Sequence, residues 1–134
     1  MRKKVLFLCT RNSNRSQMAE GLLRRLAGDR FDVISAGLEP SVVNPKTIKV
    51  MKEIGIDISH HTSKSVSQFI GEKFDHIITV CDSANKHCPS FPGKGERIHW
   101  SFEDPAEAIG TEEEVVNLFR KVRDQIRLKL NDFI

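Results

Sequence analysis

The chain alternates between short, unbroken apolar runs and longer stretches in which apolar residues recur every three or four positions. Val5-Leu6-Phe7-Leu8 is apolar without interruption, the signature of a strand buried on both faces. Met18, Ala19, Leu22, Leu23 and Leu26 then repeat at helical spacing, with Glu20, Arg24 and Arg25 off that stripe and Gly28 as the stop. Phe31-Asp32-Val33-Ile34-Ser35 predicts a second strand. Asn44-Pro45 has the N-cap and first-turn chemistry of a helix carrying Ile48, Met51 and Ile54 and ending at Gly55. A polar segment from His60 to Ser67, with His60 and His61 read as solvated loop, leads to the strand Phe74–Val80, and Arg97 to Trp100 makes a short fourth. Thr111 and Glu114 form a capping box for the last helix, whose buried stripe is predicted at Val115, Leu118, Val122, Ile126 and Leu130.

No repeat, low-complexity tract or linker divides this pattern, so residues 1–134 are expected to form a single domain. Strand and helix in alternation predict an α/β fold, a three-layer α/β/α arrangement around a four-stranded, parallel, twisted sheet. Ligands of such sheets bind outside the carboxyl ends of the strands. That rule selects Cys9, Ser35, Cys81 and the segment Ser101–Asp104, each placed directly after a strand.

Composition narrows the class without naming the chemistry. With 39% hydrophobic and 29% charged residues the chain is neither disordered nor fibrous. The basic start, Met1-Arg2-Lys3-Lys4, is followed by only four apolar residues, too few for a signal-peptide core, which points to the cytoplasm. No apolar run is long enough to span a bilayer, so no membrane partner is expected. The 21 basic and 18 acidic side chains leave +3, compatible with an anionic ligand and too mild to imply nucleic acid; Arg24-Arg25 reads as an exposed basic helix face. The three cysteines, at 9, 81 and 88, argue against a disulfide scaffold and for thiol chemistry or metal binding.

The most informative segment is Cys9-Thr10-Arg11-Asn12-Ser13-Asn14-Arg15-Ser16, running from a strand into a helix. A tight loop ending at a helix N-terminus directs several backbone N–H groups and the positive end of the helix dipole at one point. A tetrahedral oxyanion fits there, held by residues 10–16, with the planar fork of Arg15 on two of its oxygens. The same field favours the thiolate of Cys9, a nucleophile, and Ser16 can donate a hydrogen bond to it.

Cys-x5-Arg-Ser in this setting resembles the phosphate loop of low-molecular-weight protein tyrosine phosphatases, and more closely that of arsenate reductases of the same fold, the thioredoxin-coupled type. The resemblance covers nearly the whole chain: Asn-Ser-x-Arg-Ser-Gln-Met-Ala-Glu-Gly at 12–21, Ser-Ala-Gly at 35–37, Asn-Pro-Lys at 44–46, Ile-Asp-Ile-Ser at 56–59, His-Thr-Ser at 61–63, Asp-Pro-Ala at 104–106 and Val-Arg-Asp at 122–124. It implies that Cys9 attacks arsenate, that Cys81 attacks Cys9 with release of arsenite, and that Cys88 attacks Cys81, leaving a Cys81–Cys88 disulfide for thioredoxin. It also implies Asp104 as general acid, no tightly bound cofactor and a monomer. The polar stretch Asp82–His87 between the two thiols is read as able to rearrange, as such a relay requires.

Three readings compete with this one. A phosphomonoesterase of the tyrosine phosphatase type needs only water to resolve the intermediate, but the chain has no tyrosine and Ala106, Glu107 and Ala108 after Asp104-Pro105, where those phosphatases carry aromatic residues. A metal-binding module on Cys9, Cys81, His87 and Cys88 lacks the short paired spacing of a structural zinc site, so no metal is expected. Arg11 and Asn14 stand where many relatives have glycine and cysteine; relatives with a basic residue at 11 use glutathione and glutaredoxin, which leaves that donor as the alternative to thioredoxin. Some members hold potassium at positions matching Asn12, Glu20, Ser35 and an acidic residue at 64. Lys64 stands there instead, and is expected to take over the cation's role or to repel it.

Overall fold

Both faces of the first strand are covered, as its unbroken apolar run requires. In the computed structural model, which describes residues 2–134, β1 spans Lys3–Cys9. Val5, Leu6, Phe7 and Leu8 are all fully buried although successive side chains point to opposite faces. Burying a large apolar side chain of this kind contributes about 1.5–3 kcal/mol. Around β1 lie β2 (Phe31–Gly37), β3 (His76–Thr79) and β4 (Glu96–His99), all parallel, in the order β2-β1-β3-β4. The chain moves from β1 to one side and then crosses back to the other, so the topological switch point falls between the carboxyl ends of β1 and β3. Cys9 ends β1, and Cys81 lies two residues beyond β3. The predicted α/β architecture is the observed one.

The helices are α1 (Arg15–Ala27), α2 (Pro45–Lys52), α3 (Asp82–Lys86) and α4 (Glu112–Phe133). The Asn44 side chain caps α2 by accepting from the Lys46 N–H, and Gly55 closes the turn after it at φ +80°, a conformation glycine adopts without strain. Thr111 caps α4, and its hydroxyl also donates to Glu114 Oε1. At the far end of α4, Phe133 packs against Phe31, His76 and Trp100, reaching across the sheet. No helix among the described residues is long and apolar enough to cross a membrane.

Four expectations are corrected, and one further element appears. The buried stripe of α4 is Val116, Phe119, Val122, Arg123, Ile126 and Leu130; Val115 and Leu118 are only half-buried. Val115-Val116 and Leu118-Phe119 are adjacent apolar pairs, so periodicity alone fits either phase in the first two turns, and packing selects the larger Phe119. Glu20, expected off the buried face, is 4% exposed because the 60–65 segment lies over that side of α1. His61, read as solvated loop, is buried by the same packing. Ser35 lies inside β2 rather than after it, since the strand continues through Ala36 and Gly37. The polar stretch after Cys81 forms helix α3, with Cys81 as its N-cap.

Candidate active site

The loop between β1 and α1 closes around the sulfur of Cys9. The Asn12 N–H points at Cys9 Sγ at 3.2 Å, and Ser16 Oγ lies 2.8 Å from it. Asn12 can bring its N–H there because it adopts φ +52°, the one non-glycine residue among those described with positive φ. Asparagine tolerates this region better than most residues. Its side chain, fully buried, then uses all its hydrogen-bonding capacity. Nδ2 donates to Ser16 Oγ at 2.8 Å and to Ser35 Oγ at 2.9 Å; Oδ1 accepts from Gln17 Nε2 at 3.0 Å and from the Lys64 N–H at 2.9 Å. Ser16 Oγ accepts from Asn12 and keeps its own proton free to donate to a Cys9 thiolate. Ser35 likewise donates to Glu20 Oε1. A chain of hydrogen bonds thus links the Glu20 carboxylate through Ser35, Asn12 and Ser16 to the thiol, with the Asn12 amide donating toward both ends.

Cations surround the buried Glu20. Arg24 Nη1 lies 3.0 Å from its Oε2 and Lys64 Nζ 3.8 Å from its Oε1, the ammonium also donating to the Thr62 carbonyl at 2.9 Å. Burial lowers the pKa of Lys64, Glu20 opposes that shift and Arg24 reinforces it. These residues do not fit a bound monovalent metal ion: Asn12 Oδ1 has no lone pair to spare, and a cationic side chain already stands against Glu20.

His61 completes this layer. Gln17 uses its amide nitrogen on Asn12 and Thr62, so its Oε1 accepts from His61 Nδ1 at 2.9 Å, while His61 Nε2 faces the Arg24 guanidinium at 3.4 Å as acceptor. Both contacts suit the neutral ring. Burial lowers its pKa most, Glu20 raises it, and Arg24, His60 and Lys64 lower it further. Below about 6.5, the ordinary imidazole value, the unfolded chain takes up a proton that the native site resists. Stability from this site is thus fully present above that pH and is lost as pH falls through the native value. Urea midpoints should decline from pH 7 to pH 5, and His61→Asn should flatten the decline; an equal slope in the variant would contradict the assignment.

Arg15, Asp104 and Cys81 complete a cleft of 930 Å³ at the carboxyl ends of β1 and β3, and Cys88 is not among the residues that line it. Arg15 Nη1 donates to the Phe102 carbonyl at 3.0 Å and Nη2 lies 3.7 Å from Asp104 Oδ2. Arg15 Nε is buried without a partner, a donor that an oxyanion in the loop would satisfy. Asp104 Oδ1 accepts from the Ala106 N–H at 3.0 Å and from Asn14 Nδ2 at 3.4 Å. Cys81, 4% exposed, has its Sγ 3.3 Å from Thr10 Oγ1 and opens on the same cleft as Cys9, itself 3% exposed. Cys88 is partly exposed, two residues past α3, and all three cysteines are free thiols. Thr10, Arg11, Ser13 and Asn14 line the cleft; Arg11 is exposed at its mouth, whereas Asn12, Ser16, Ser35, Glu20 and Lys64 form the layer behind the loop. Among the described residues no three His, Cys, Asp or Glu side chains converge as a metal site.

Several supporting residues carry no local signal. Asn14 ties the loop to α2 by accepting from Thr47 Oγ1 at 2.9 Å while its nitrogen reaches Asp104. Ser63 Oγ donates to the Arg11 carbonyl at 2.7 Å. Gly37, opposite Cys9 in the sheet, leaves room for the loop backbone: a Cβ there would lie 2.7 Å from the Asn12 nitrogen and 2.9 Å from the Thr10 oxygen. The Ser-Ala-Gly motif was the only hint of it in the sequence.

Comparison with known proteins agrees with this geometry. Residues 4–134 match the low molecular weight phosphotyrosine protein phosphatase family. An arsenate reductase of Halalkalibacterium halodurans is 52% identical over 99% of this chain and 96% of its own length, and one of Bacillus subtilis is 47% identical over 98% and 94%. A solved arsenate reductase in a phosphate-binding state superposes with a TM-score of 0.84 at 37% identity, covering 98% of this chain and 95% of that one. The family match over residues 4–134 and the likeness over nearly the full length of these arsenate reductases place the chain in the low molecular weight phosphotyrosine protein phosphatase family, alongside its arsenate reductases.

Proposed function

We propose that the protein reduces arsenate to arsenite through a relay of its three thiols, with reduced thioredoxin as donor. The observation that carries this reading is the second free thiol, Cys81, opening on the same cleft as Cys9. A hydrolase of this fold needs water there; a reductase needs a thiol to take the intermediate apart.

Arsenate sits in the loop, its oxygens facing the backbone N–H groups and the Arg15 fork. Cys9 Sγ attacks arsenic, and Asp104 gives a proton to the oxygen that leaves as water. Cys81 then attacks Cys9 Sγ. The S–As bond breaks, its electron pair stays on arsenic, arsenite departs, and Cys9 and Cys81 are joined. Both of those cysteines are buried, so an external protein cannot reach the bond between them, whereas Cys88 is partly exposed. Cys88 attacks Cys81, Cys9 leaves as thiolate, and the Cys81–Cys88 disulfide presents the oxidising equivalents at the surface. A dithiol that must be re-reduced in every cycle suits the reducing cytoplasm.

The test is arsenate-dependent oxidation of thioredoxin kept reduced by its reductase, run beside glutaredoxin with glutathione and beside hydrolysis of an aryl phosphate. Rapid thioredoxin oxidation with feeble hydrolysis is expected. Aryl phosphate turnover without arsenate-dependent thiol oxidation would sink the reductase reading.

Lys64 supplies the positive charge beside Glu20 that steadies the chain of hydrogen bonds to Cys9. Replacing sodium by potassium at equal ionic strength should therefore change turnover by less than about twofold, any remaining effect being general screening. Strong activation specific to potassium would show that an ion, and not the lysine, holds this place.

A further inference from the structure

From the contacts between β4 and the Cys81–Cys88 segment, we infer that Arg97 and His99 are positioning residues that clamp this segment in its helical, dithiol form. The inference rests on the relay proposed above, in which these two thiols end as a disulfide.

A helix rises about 1.5 Å per residue, so positions 81 and 87 at the two ends of α3 are spread by about 9 Å, with Cys88 one residue further. A disulfide requires Cα atoms about 4.4–6.8 Å apart. Helix α3 therefore has to unwind before Cys88 Sγ can bond Cys81 Sγ, and whatever holds α3 opposes that step. Both of its ends are held from one strand. At the N-terminal end, Asp82 Oδ1 accepts from His99 Nε2 at 3.1 Å and from Ser101 Oγ at 3.2 Å. The other ring nitrogen, Nδ1, meets Thr79 Oγ1 at 2.9 Å, and that hydroxyl also lies 3.4 Å from Asn85 Oδ1 in the last turn of α3. At the C-terminal end, Arg97 Nη2 donates to the Cys88 carbonyl at 3.4 Å. Arg97 and His99 alternate with half-buried Ile98, so they share one face of β4, the edge strand of the sheet. The two thiols are thus spaced by a short helix whose first residue, together with the Cys88 carbonyl beyond its far end, is tied to nearby positions of one rigid element.

Contacts present in the dithiol and absent in the disulfide stabilise the reduced form and raise the reduction potential. The bonded groups are largely exposed, so each contact contributes modestly. Cutting them should shift the equilibrium toward the disulfide without changing the sheet.

The test is a glutathione redox titration of the full chain in a Cys9→Ser background, which leaves Cys81 and Cys88 as the only thiols, read by alkylation and mass spectrometry. His99→Phe keeps a ring on β4 but removes both hydrogen bonds, and Arg97→Met keeps the stem. Each is expected to favour the disulfide by roughly threefold and the pair together by roughly tenfold, a potential about 30 mV lower. Asp82→Ala removes the partner of His99 from an exposed position, and should reproduce the His99→Phe shift if that variant folds poorly. An unchanged potential in the double variant, or a shift toward the dithiol, overturns the clamp. The titration contains no arsenate, so a flat titration beside normal arsenate turnover defeats the clamp alone. A shifted titration without arsenate-dependent thioredoxin oxidation defeats the relay and leaves the clamp standing.

Discussion

Cys88→Ser is expected to release one equivalent of arsenite per chain and then stop, trapped with Cys9 bonded to Cys81. The reason is access. The bond left by arsenite departure joins two cysteines that are 3% and 4% exposed, and only a thiol that reaches them from within the chain can open it. Cys88 is the remaining thiol and the one that is partly exposed. In Cys81→Ser no arsenite should appear in a single turnover, because nothing attacks Cys9 Sγ once arsenic is bound to it. In Cys9→Ser the chemistry should not begin, a loss of at least about 10⁴-fold, as when the nucleophile of a catalytic unit that acts together is removed. Rapid-quench measurement of arsenite, with mass spectrometric assignment of the trapped disulfide, separates the three. Continued thioredoxin-linked turnover in Cys81→Ser and Cys88→Ser would end the relay proposal.

The residues legible in the sequence are those whose roles follow from chain-local physics. The unbroken run Val5–Leu8 announced a strand covered on both faces, and a cysteine at its end followed by a helix start announced a tight loop between them. Asn44 and Thr111 announced their helices because a cap is a contact between near neighbours. What stayed hidden depends on segments distant in the chain. Glu20 reads as an exposed helix residue until Lys64 and His61 pack beside it, 44 and 41 positions on. Asn14 reads as a substitution in a loop until Thr47 and Asp104 are seen on its two amide atoms. Helix α3 had only a polar composition to announce it, and it is held from β4 rather than by an amphipathic stripe of its own. Local pattern located Cys9 and the loop that wraps it; the layer that holds them is built from tertiary contacts.

Gly37→Ala probes that layer most sharply, because it adds one methyl group at a residue that takes no part in any proposed chemical step. Gly37 ends β2 directly opposite Cys9, and its φ is not positive, so its role is space rather than backbone freedom. A Cβ there would stand 2.7 Å from the Asn12 nitrogen, 2.8 Å from the Arg11 carbonyl carbon and 2.9 Å from the Thr10 oxygen, all backbone atoms of the anion loop. Neither side has room to yield. The Gly37 N–H donates to the Lys64 carbonyl at 2.8 Å, and the next two residues stitch β2 to the loop through Leu38 N–H to Cys9 O at 3.1 Å and Glu39 N–H to Thr10 O at 2.8 Å. Overpacking of this kind costs about 1–3 kcal/mol. The larger effect falls on catalysis, because the loop must move and the Asn12 N–H is what it aims at Cys9. A displacement of about 1 Å in a catalytic arrangement lowers rate by roughly 100-fold. Gly71→Ala is the matched control, since a Cβ there meets nothing within 4 Å. The expected result is a drop of roughly 100-fold in Cys9 alkylation rate and arsenate turnover for Gly37→Ala, with Gly71→Ala near the parent in both. Equal behaviour of the two variants would mean that the loop tolerates the methyl group and that its geometry does not depend on β2.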